Sequence, residues 1–278
     1  MGARPGIRGA ASADERVPSR PMRLLIVGGG RMGEALVGGL LAAGWDGIGV
    51  VEKIDARRAE LGARFPSITV LRDVEPAEGA VVAVKPNDVR DACIALGGTK
   101  RVLSIAAGVP IATLEDALGA GTAVVRAMPN TPALVGAGAA AIAGGSAATD
   151  DDLSWAESVL GAVGDVVRVP ESLLDAVTGL SGSGPAYVFL VAEALIDAGV
   201  LNGLPRDVSV SLATQTLLGA ARLLAETGET PEALRAQVTS PGGTTAAGLR
   251  ALESAGVRAA FLDAVSAATQ RSRELGEK

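Results

Sequence analysis

Three glycines near the start of the chain have the spacing that can hold a dinucleotide. Gly28, Gly30 and Gly33 form a GxGxxG pattern, directly after the apolar run LLIV and directly before an amphipathic stretch. The first glycine of such a turn permits a tight bend, the second admits a pyrophosphate close to the backbone, and the third lets the helix pack on the strand. The pattern therefore predicts a nicotinamide dinucleotide on this turn. Because the chain holds 37 glycines, an ordinary glycine-rich turn is the alternative.

Charged residues follow this turn where dinucleotide sites choose between cofactors. Glu52 ends the second predicted strand, about 20 residues after the turn, where a carboxylate accepts hydrogen bonds from the adenosine ribose of NADH. The same carboxylate repels the 2′-phosphate of NADPH. Lys53, Arg57 and Arg58 follow directly and could clamp that phosphate, or could simply form a solvated helix face. The choice between NADH and NADPH therefore stays open, with a slight preference for NADH.

A second group of residues could bind a carboxylate. The string SPGGTT at residues 240–245 places hydroxyl side chains and two glycines immediately before a predicted helix. Free N–H groups at a helix start, with the hydroxyls of Ser240, Thr244 and Thr245, can receive an anion. Ser and Thr are also the usual helix caps. Without other information, the cap is the favoured interpretation of this string.

The elements that must position these residues follow from the hydrophobic pattern. Short β-branched runs alternate with helical stretches up to about residue 169, which is typical of a parallel sheet covered by helices. Strands are predicted at residues 23–27, 48–51, 69–71, 79–84, 101–105, 122–127, 139–143 and 166–169. Helices are predicted at residues 32–43, 55–64, 87–96, 111–118 and 152–163. The fold class is therefore α/β, with a Rossmann-type, doubly wound and mostly parallel sheet in residues 22–170.

The remainder of the chain, residues 171–278, is predicted to be entirely helical. Helices are predicted at residues 171–178, 185–198, 205–227, 231–238, 244–255 and 257–274, and three of them begin with a proline. The segment LATQTLLGAARLLA at residues 212–225 is apolar on nearly every face. A domain of this size cannot surround such a helix, so we expect an all-α dimerisation domain and a homodimer.

Composition excludes several classes of function. The chain has no histidine, and Cys93 is its only cysteine, so no metal site of the His or Cys type is expected. A net charge of -6 with 2% aromatic residues argues against binding nucleic acid. No membrane span is expected, because Gly and charged residues interrupt the apolar runs. Residues 1–21 lack the apolar core of a secretory signal. We expect these residues to form a flexible extension, with Met22 as a possible natural start, on a cytoplasmic protein that binds a small molecule.

Three more strings stand at the carboxyl ends of predicted strands, where open α/β sheets bind ligands. They are VAVKPN at residues 82–87, SIAAGV at 104–109 and RAMPNTPA at 126–133. Together with GGGRMG, LSGSGPAYVF at 180–189 and QVTSPGGTTAAGLRALE at 237–253, they resemble the signature strings of pyrroline-5-carboxylate reductases, in order and at matching intervals. The resemblance runs from about residue 22 to the carboxyl terminus. It implies NAD(P)H-dependent reduction of (S)-1-pyrroline-5-carboxylate to L-proline, the last step of proline synthesis.

The resemblance also implies roles for individual residues. The residues expected to hold NADPH or NADH are Gly28, Gly29, Gly30, Arg31, Met32, Gly33, Glu52, Lys53, Arg57, Ala83, Val84, Lys85, Pro86, Ala106, Ala107, Gly108, Met128, Pro129 and Asn130, with the last three near the nicotinamide. The backbone of Gly243, Thr244 and Thr245 would hold the substrate carboxylate, beside Ser240. The Thr245 hydroxyl would reach the ring nitrogen. A homodimer, or a larger ring of dimers, is the expected assembly.

The chemistry of a cyclic imine suits a chain without histidine. A protonated imine accepts hydride directly, so the enzyme supplies orientation and a hydrogen bond at nitrogen. Thr245 is the predicted donor, ahead of Lys85, while Tyr187 is assigned to packing. Glu52 stands where many relatives carry a small or hydroxyl residue, which puts the usual NADPH preference in doubt.

Three other functions compete with this interpretation, and one of them is a reductase that acts on a different imine. A β-hydroxyacid dehydrogenase has a similar domain order, but such enzymes usually depend on a lysine in the first helix of the second domain, and residues 171–198 contain none. A non-catalytic dinucleotide-binding regulator would leave SPGGTT without a role.

Overall fold

The computed structural model describes residues 22–276, so the predictions made for residues 1–21 lie outside the described residues. Eight strands form one sheet. They are β1 (Leu24–Val27), β2 (Ile48–Val51), β3 (Thr69–Leu71), β4 (Gly79–Val82), β5 (Arg101–Ser104), β6 (Ala123–Met128), β7 (Gly138–Gly144) and β8 (Gly164–Arg168). Each lies within two residues of a predicted strand at both ends, and the doubly wound, mostly parallel sheet is confirmed.

The strand order across the sheet is β3-β2-β1-β4-β5-β6-β7-β8. All neighbouring strands are parallel except β6 and β7, which are antiparallel. After β3 the chain crosses over to start the other half of the sheet at β4, which lies beside β1. The loops after β1 and β4 therefore diverge and open a crevice at the carboxyl ends of these two strands. This crevice is where an open α/β sheet binds its ligand.

The central strands of the sheet are continuously apolar. Helices cover both faces of the sheet and bury these strands fully. On one face lie α1 (Arg31–Ala42), α2 (Asp55–Arg64) and α5 (Asp150–Leu160), whose buried side chains share a core with β1. On the other lie α3 (Val89–Ala95), α4 (Ile111–Leu118) and the short α6 (Leu174–Val177). The core is built mainly from aliphatic side chains, joined by the buried Trp155, as the scarcity of aromatic residues requires.

The helical domain comprises α7 (Gly184–Leu201), α8 (Arg206–Thr227), α9 (Pro231–Gln237), α10 (Thr244–Ser254) and α11 (Val257–Gly276). Within these five described helices, only Ser209, Ala213 and Ser272 are buried. Large apolar side chains stand in solvent instead, including Phe189 at 62% exposure and Leu262 at 70%. A single chain therefore leaves this domain without a core of its own.

One predicted helix differs from the structure. The segment predicted as a helix at residues 171–178 divides into a 3₁₀ turn (Glu171–Leu173), the single α-helical turn α6, and a π-helical turn at Thr178–Gly182, called the π turn below. A prediction from the spacing of apolar residues assumes 3.6 residues per helical turn, so it does not detect a turn that contains an extra residue. The π turn packs against α11, which approaches the backbone of Gly179 closely.

Candidate active site

The glycine turn meets the loop after β4 at the crevice. The Gly28 N–H donates to the Val51 carbonyl at 2.9 Å, and the Ala83 N–H donates to the Val27 carbonyl at 2.8 Å. Gly28 has a φ of 113°, and a Cβ added there would lie 2.6 Å from the Ala83 carbonyl oxygen. Only glycine fits this approach. The strings GGGRMG and AVKP, predicted separately, therefore form one continuous wall.

The start of α1 can accept a pyrophosphate. Gly30 caps this helix without a side-chain hydrogen bond, and a Cβ added at Gly30 would meet nothing within 4 Å. Gly30 and Arg31 are exposed, so the very start of α1, where backbone N–H groups lack helical partners, is open to a ligand. Such a helix start favours an anion. The chain thus offers a cradle that fits the phosphates of a dinucleotide.

Gly33 holds this cradle in shape, which gives a testable prediction. A Cβ added at Gly33 would overlap the Gly28 carbonyl oxygen, so Gly33→Ala must push α1 away from the turn. We expect the Kd for NADH to rise at least about tenfold, or 1.4 kcal/mol, as measured by fluorescence titration. Gly62→Ala on α2 is the matched control, because its added Cβ makes only an ordinary 3.8 Å contact with Val70. Equal NADH affinity in the two variants would contradict this role.

Glu52 lies beside the glycine turn. Its Oε1 accepts the Ile54 N–H at 2.9 Å. Its Oε2 lies 3.1 Å from where a Cβ of Gly29 would stand. The carboxylate therefore stands at the turn, on the strand end where an adenosine ribose binds in this fold.

The neighbouring arginines are occupied. Arg57 donates from Nε to the Gly29 carbonyl at 2.9 Å and pairs with Glu34 on α1. Arg58 donates to the carbonyl groups of Glu52 and Lys53 at 2.8 and 2.9 Å, and also pairs with Asp55. Both guanidinium groups therefore brace the backbone of the turn and the end of β2.

The remaining predicted cofactor residues lie along the same edge of the sheet. Lys85 and Pro86 are exposed after β4, and Ala106 to Gly108 follow β5. The carboxyl end of α11 reaches this loop, with Leu275 Cβ 3.9 Å from the Cβ position of Gly108. Met128 ends β6, and Pro129 and Asn130 follow. The structure thus brings the residues predicted to bind the cofactor to the carboxyl edge of the sheet.

The SPGGTT string lies apart from this edge within one chain. Gly243 caps α10, and its N–H donates to the Ser240 carbonyl at 3.0 Å in a tight turn through Gly242, whose φ is 70°. The side chains of Thr244 and Thr245 are exposed. Among residues 22–276, no hydrogen bond or ion pair joins residues 240–245 to the sheet domain. The two predicted halves of the site are therefore not joined within a single chain.

The two other candidate groups are engaged elsewhere. The Tyr187 hydroxyl donates to the Gly179 carbonyl in the π turn at 3.2 Å, which agrees with its predicted packing role. Cys93 is buried on α3, and burial raises the pKa of its thiol to about 11. The thiol stays protonated at neutral pH and is no nucleophile.

Sequence reasoning missed the contacts that fasten the helical domain to the sheet. Glu171 accepts hydrogen bonds from Arg126 at 2.8 Å and from the Ile111 N–H at 2.7 Å. Ser272 on α11 donates to Asp175 at 2.6 Å. These partners are 45 to 97 residues apart in sequence, so no local pattern could have paired them.

Two family models match the chain. Residues 171–275 match the model for pyrroline-5-carboxylate reductase dimerisation. Residues 23–108 match a model described as NADP oxidoreductase, coenzyme F420-dependent. The two matches cover the helical domain and the part of the sheet that carries the glycine turn.

Whole-chain relatives agree with these matches. A pyrroline-5-carboxylate reductase of Methanosarcina acetivorans is 47% identical over 263 residues, covering 91% of this chain and 97% of the relative. A pyrroline-5-carboxylate reductase structure from Coxiella burnetii is 36% identical with a TM-score of 0.88, covering 93% of this chain and all of that one. A Plasmodium falciparum pyrroline carboxylate reductase structure with NADP bound is 29% identical with a TM-score of 0.77, covering 92% and 98%.

Fold and site together define a class: a nicotinamide-dependent oxidoreductase with a Rossmann domain followed by a helical dimerisation domain. Such a domain accounts for the apolar surface that a single chain leaves exposed. Within that class, the chain belongs to the pyrroline-5-carboxylate reductase family.

Two helical stretches of this apolar surface also have the length and composition of membrane helices. In the part of the chain described, two helical stretches, Glu171–Leu201 and Arg206–Thr227, are long and apolar enough to cross a bilayer, although the interrupted apolar runs predicted no membrane span. Both lie within the match to the dimerisation model. Homo-oligomerisation through this domain gives their exposed side chains a protein partner.

Proposed function

We propose that this chain reduces (S)-1-pyrroline-5-carboxylate to L-proline with NADH or NADPH. The observation that carries the proposal is the 47% identity to a named pyrroline-5-carboxylate reductase over 91% of the chain. The glycine turn and the SPGGTT string supply the two kinds of binding that this reaction needs. The proposal divides the chain at residue 170 into a cofactor-holding part and a substrate-holding part.

The proposed mechanism assigns substrate binding to backbone N–H groups and the hydrogen bond at the ring nitrogen to one hydroxyl. When bound, the reduced nicotinamide supplies the hydride that the imine carbon accepts. The N–H groups of Thr244 and Thr245 hold the substrate carboxylate at the start of α10, beside Ser240, while the Gly243 N–H, also expected there, already donates to the Ser240 carbonyl. The Thr245 hydroxyl donates a hydrogen bond to the ring nitrogen as it becomes an amine. The proton that the imine nitrogen carries comes from water, so no strong acid is required.

We infer from the exposure of α10 that a partner subunit completes the site. Thr245 faces solvent in a single chain, while the helices around it expose the surface that dimerisation covers. We infer that SPGGTT of one protomer approaches the carboxyl edge of the partner's sheet. Because a ring of dimers needs further interfaces, the mass of the assembly from light scattering decides between dimer and ring. A cytoplasmic location accords with this proposed biosynthetic role.

The reaction is tested by following NADH and NADPH oxidation with pyrroline-5-carboxylate as substrate. Oxidation that requires this substrate supports the proposal. Oxidation of a β-hydroxyacid with NAD⁺, without imine reduction, would instead establish the dehydrogenase alternative. Dinucleotide binding without turnover of either substrate would establish the regulator.

We also propose that NADH is the preferred cofactor. The Glu52 carboxylate stands at the glycine turn, while Arg57 and Arg58 already serve carbonyl and carboxylate groups. A 2′-phosphate there would be repelled by the Glu52 carboxylate, and neither Arg57 nor Arg58 has a free guanidinium to neutralise it. We expect kcat/KM for NADH to exceed that for NADPH by about tenfold or more, equal to at least about 1.4 kcal/mol.

The charge of Glu52 is tested by the neutral variant of nearly equal shape. Glu52→Gln should raise kcat/KM for NADPH and lower the preference for NADH by about tenfold, because it removes the repulsion. Glu75→Gln, in an exposed loop that precedes β4, is the control. A wild-type enzyme that prefers NADPH, or a preference unchanged by Glu52→Gln, would contradict this assignment.

A further inference from the structure

Asn130 lies between the two domains at the end of β6, and both polar atoms of its side chain are used. Its Nδ2 donates to the Ser181 carbonyl in the π turn at 3.1 Å. Its Oδ1 accepts the N–H of Ala139 on β7 at 2.9 Å. A carbonyl only accepts and an N–H only donates, so the two partners fix which way the amide points.

The Ser181 carbonyl is available because of the local sequence. In a continuous α-helix it would accept the N–H of residue 185, but Pro185 has none. One turn earlier, the Ser183 N–H donates to the Thr178 carbonyl at 2.8 Å, which deprives the Gly179 carbonyl of its α-helical donor. The Tyr187 hydroxyl, in the same domain, donates a hydrogen bond to the Gly179 carbonyl. The Ser181 carbonyl accepts its hydrogen bond from Asn130, which belongs to the other domain.

Packing places the π turn against the end of β6. A Cβ added at Gly182 would lie 2.6 Å from Met128 Cε, and one added at Gly179 would lie 2.7 Å from the Val265 carbonyl oxygen on α11. The π turn is thus held between the last residue of β6 and the long helix α11. It leads directly into α7, whose first residue is Gly184.

We propose that Asn130 is a positioning residue for the reduction. By bonding β7 and the π turn at once, it fixes the helical domain against the carboxyl edge of the sheet, where the cofactor residues lie. Its side chain acts through Ser181 and does not serve the dinucleotide as a ligand. The inference rests on the proposed reductase function for its kinetic consequence, while the domain link itself has a readout independent of turnover.

The first test removes the link. Asn130→Ala should lower kcat about tenfold to a hundredfold, because a small displacement of reacting groups has effects of this size. The KM for NADH should stay within about twofold of wild type, since binding at the glycine turn is untouched. Amide hydrogen exchange at residues 178–186 should become faster. A wild-type kcat, or a raised KM for NADH at unchanged kcat, would overturn the proposal.

The second test retains the shape of the side chain. Asn130→Asp keeps the acceptor for Ala139 but points a carboxylate at the Ser181 carbonyl. A protonated carboxyl can donate to that carbonyl, so the activity of this variant relative to wild type should rise as pH falls toward about 5, because a half-buried carboxyl facing a carbonyl has a pKa above the ordinary value of about 3.9. A ratio that does not change with pH would overturn the proposal.

A matched control separates the effect of position from that of chemistry. Asn202 is exposed at the end of α7, where its Nδ2 donates to the Ala198 carbonyl at 2.8 Å within one helix. Asn202→Asp should show the pH profile of wild type. If wild-type enzyme fails to reduce pyrroline-5-carboxylate, the proposed function fails, and the exchange experiment still decides whether Asn130 links the domains.

Discussion

Thr245→Ala lowers kcat by about tenfold to a hundredfold with pyrroline-5-carboxylate, while the affinity for NADH stays near wild type. The hydroxyl is proposed to strengthen its hydrogen bond as the ring nitrogen becomes an amine, and removing such a contact costs about 1.4 to 2.7 kcal/mol of transition-state stabilisation. The backbone N–H groups that receive the carboxylate remain at the start of α10. The substrate KM should therefore change less than kcat.

Two variants make this result specific to the hydroxyl. Thr245→Ser keeps a donor at the same position and should recover most of the lost kcat. Thr69→Ala removes an exposed threonine at the start of the edge strand β3 and should leave both constants unchanged. An alanine variant as active as wild type would remove Thr245 from the mechanism and make Lys85 the next candidate.

Leu218→Glu abolishes activity by preventing dimer formation. Leu218 lies on α8 and is 51% exposed in a single chain, so a charge at this position would be buried, unpaired, in the proposed interface. We expect a loss of more than about a hundredfold in kcat, together with elution below the dimer mass. Ile94→Glu is the control, because Ile94 is similarly exposed on the sheet domain. A fully active Leu218→Glu monomer would contradict a site shared between subunits.

Mixed dimers test the sharing of the site directly. Gly33→Val and Thr245→Ala each disable a different half of the site and should each be poorly active alone. If the glycine turn of one protomer works with the SPGGTT string of its partner, a mixed dimer contains one site with both lesions and one site with neither. Coexpression should then restore about a quarter of wild-type activity, since about half of randomly paired dimers are mixed. No restoration would mean that both halves act within one chain.

The sequence predicted most of the fold because local rules dominate there. Continuous apolar runs such as the one in β4 are typical of central parallel strands, and the glycine spacing is typical of a turn that β1 and α1 both enter closely. The apolar run and the glycine spacing each extend over only a few residues. Patterns of that length can be recognised without knowing which other strands and helices pack against them.

What the sequence did not predict depends on distant partners. The antiparallel direction of β7 follows from how the chain returns after the 3₁₀ turn Thr131–Val135. Pro185 leaves the Ser181 carbonyl of the π turn without its α-helical donor, and Asn130, 51 residues away, supplies a donor instead. The predicted substrate residues could be named through family resemblance, but their separation from the sheet within one chain emerged only from the structure.

Isotope transfer tests the central claim that this chain passes hydride from the cofactor to the imine carbon. With NADH deuterated at both C4 positions and pyrroline-5-carboxylate as substrate, mass spectrometry and NMR of the product decide the outcome. We predict one L-proline for each NADH oxidised, carrying one deuterium at C5, the ring carbon that belonged to the C=N bond. NADH oxidation without proline, or proline without deuterium at C5, would contradict the account.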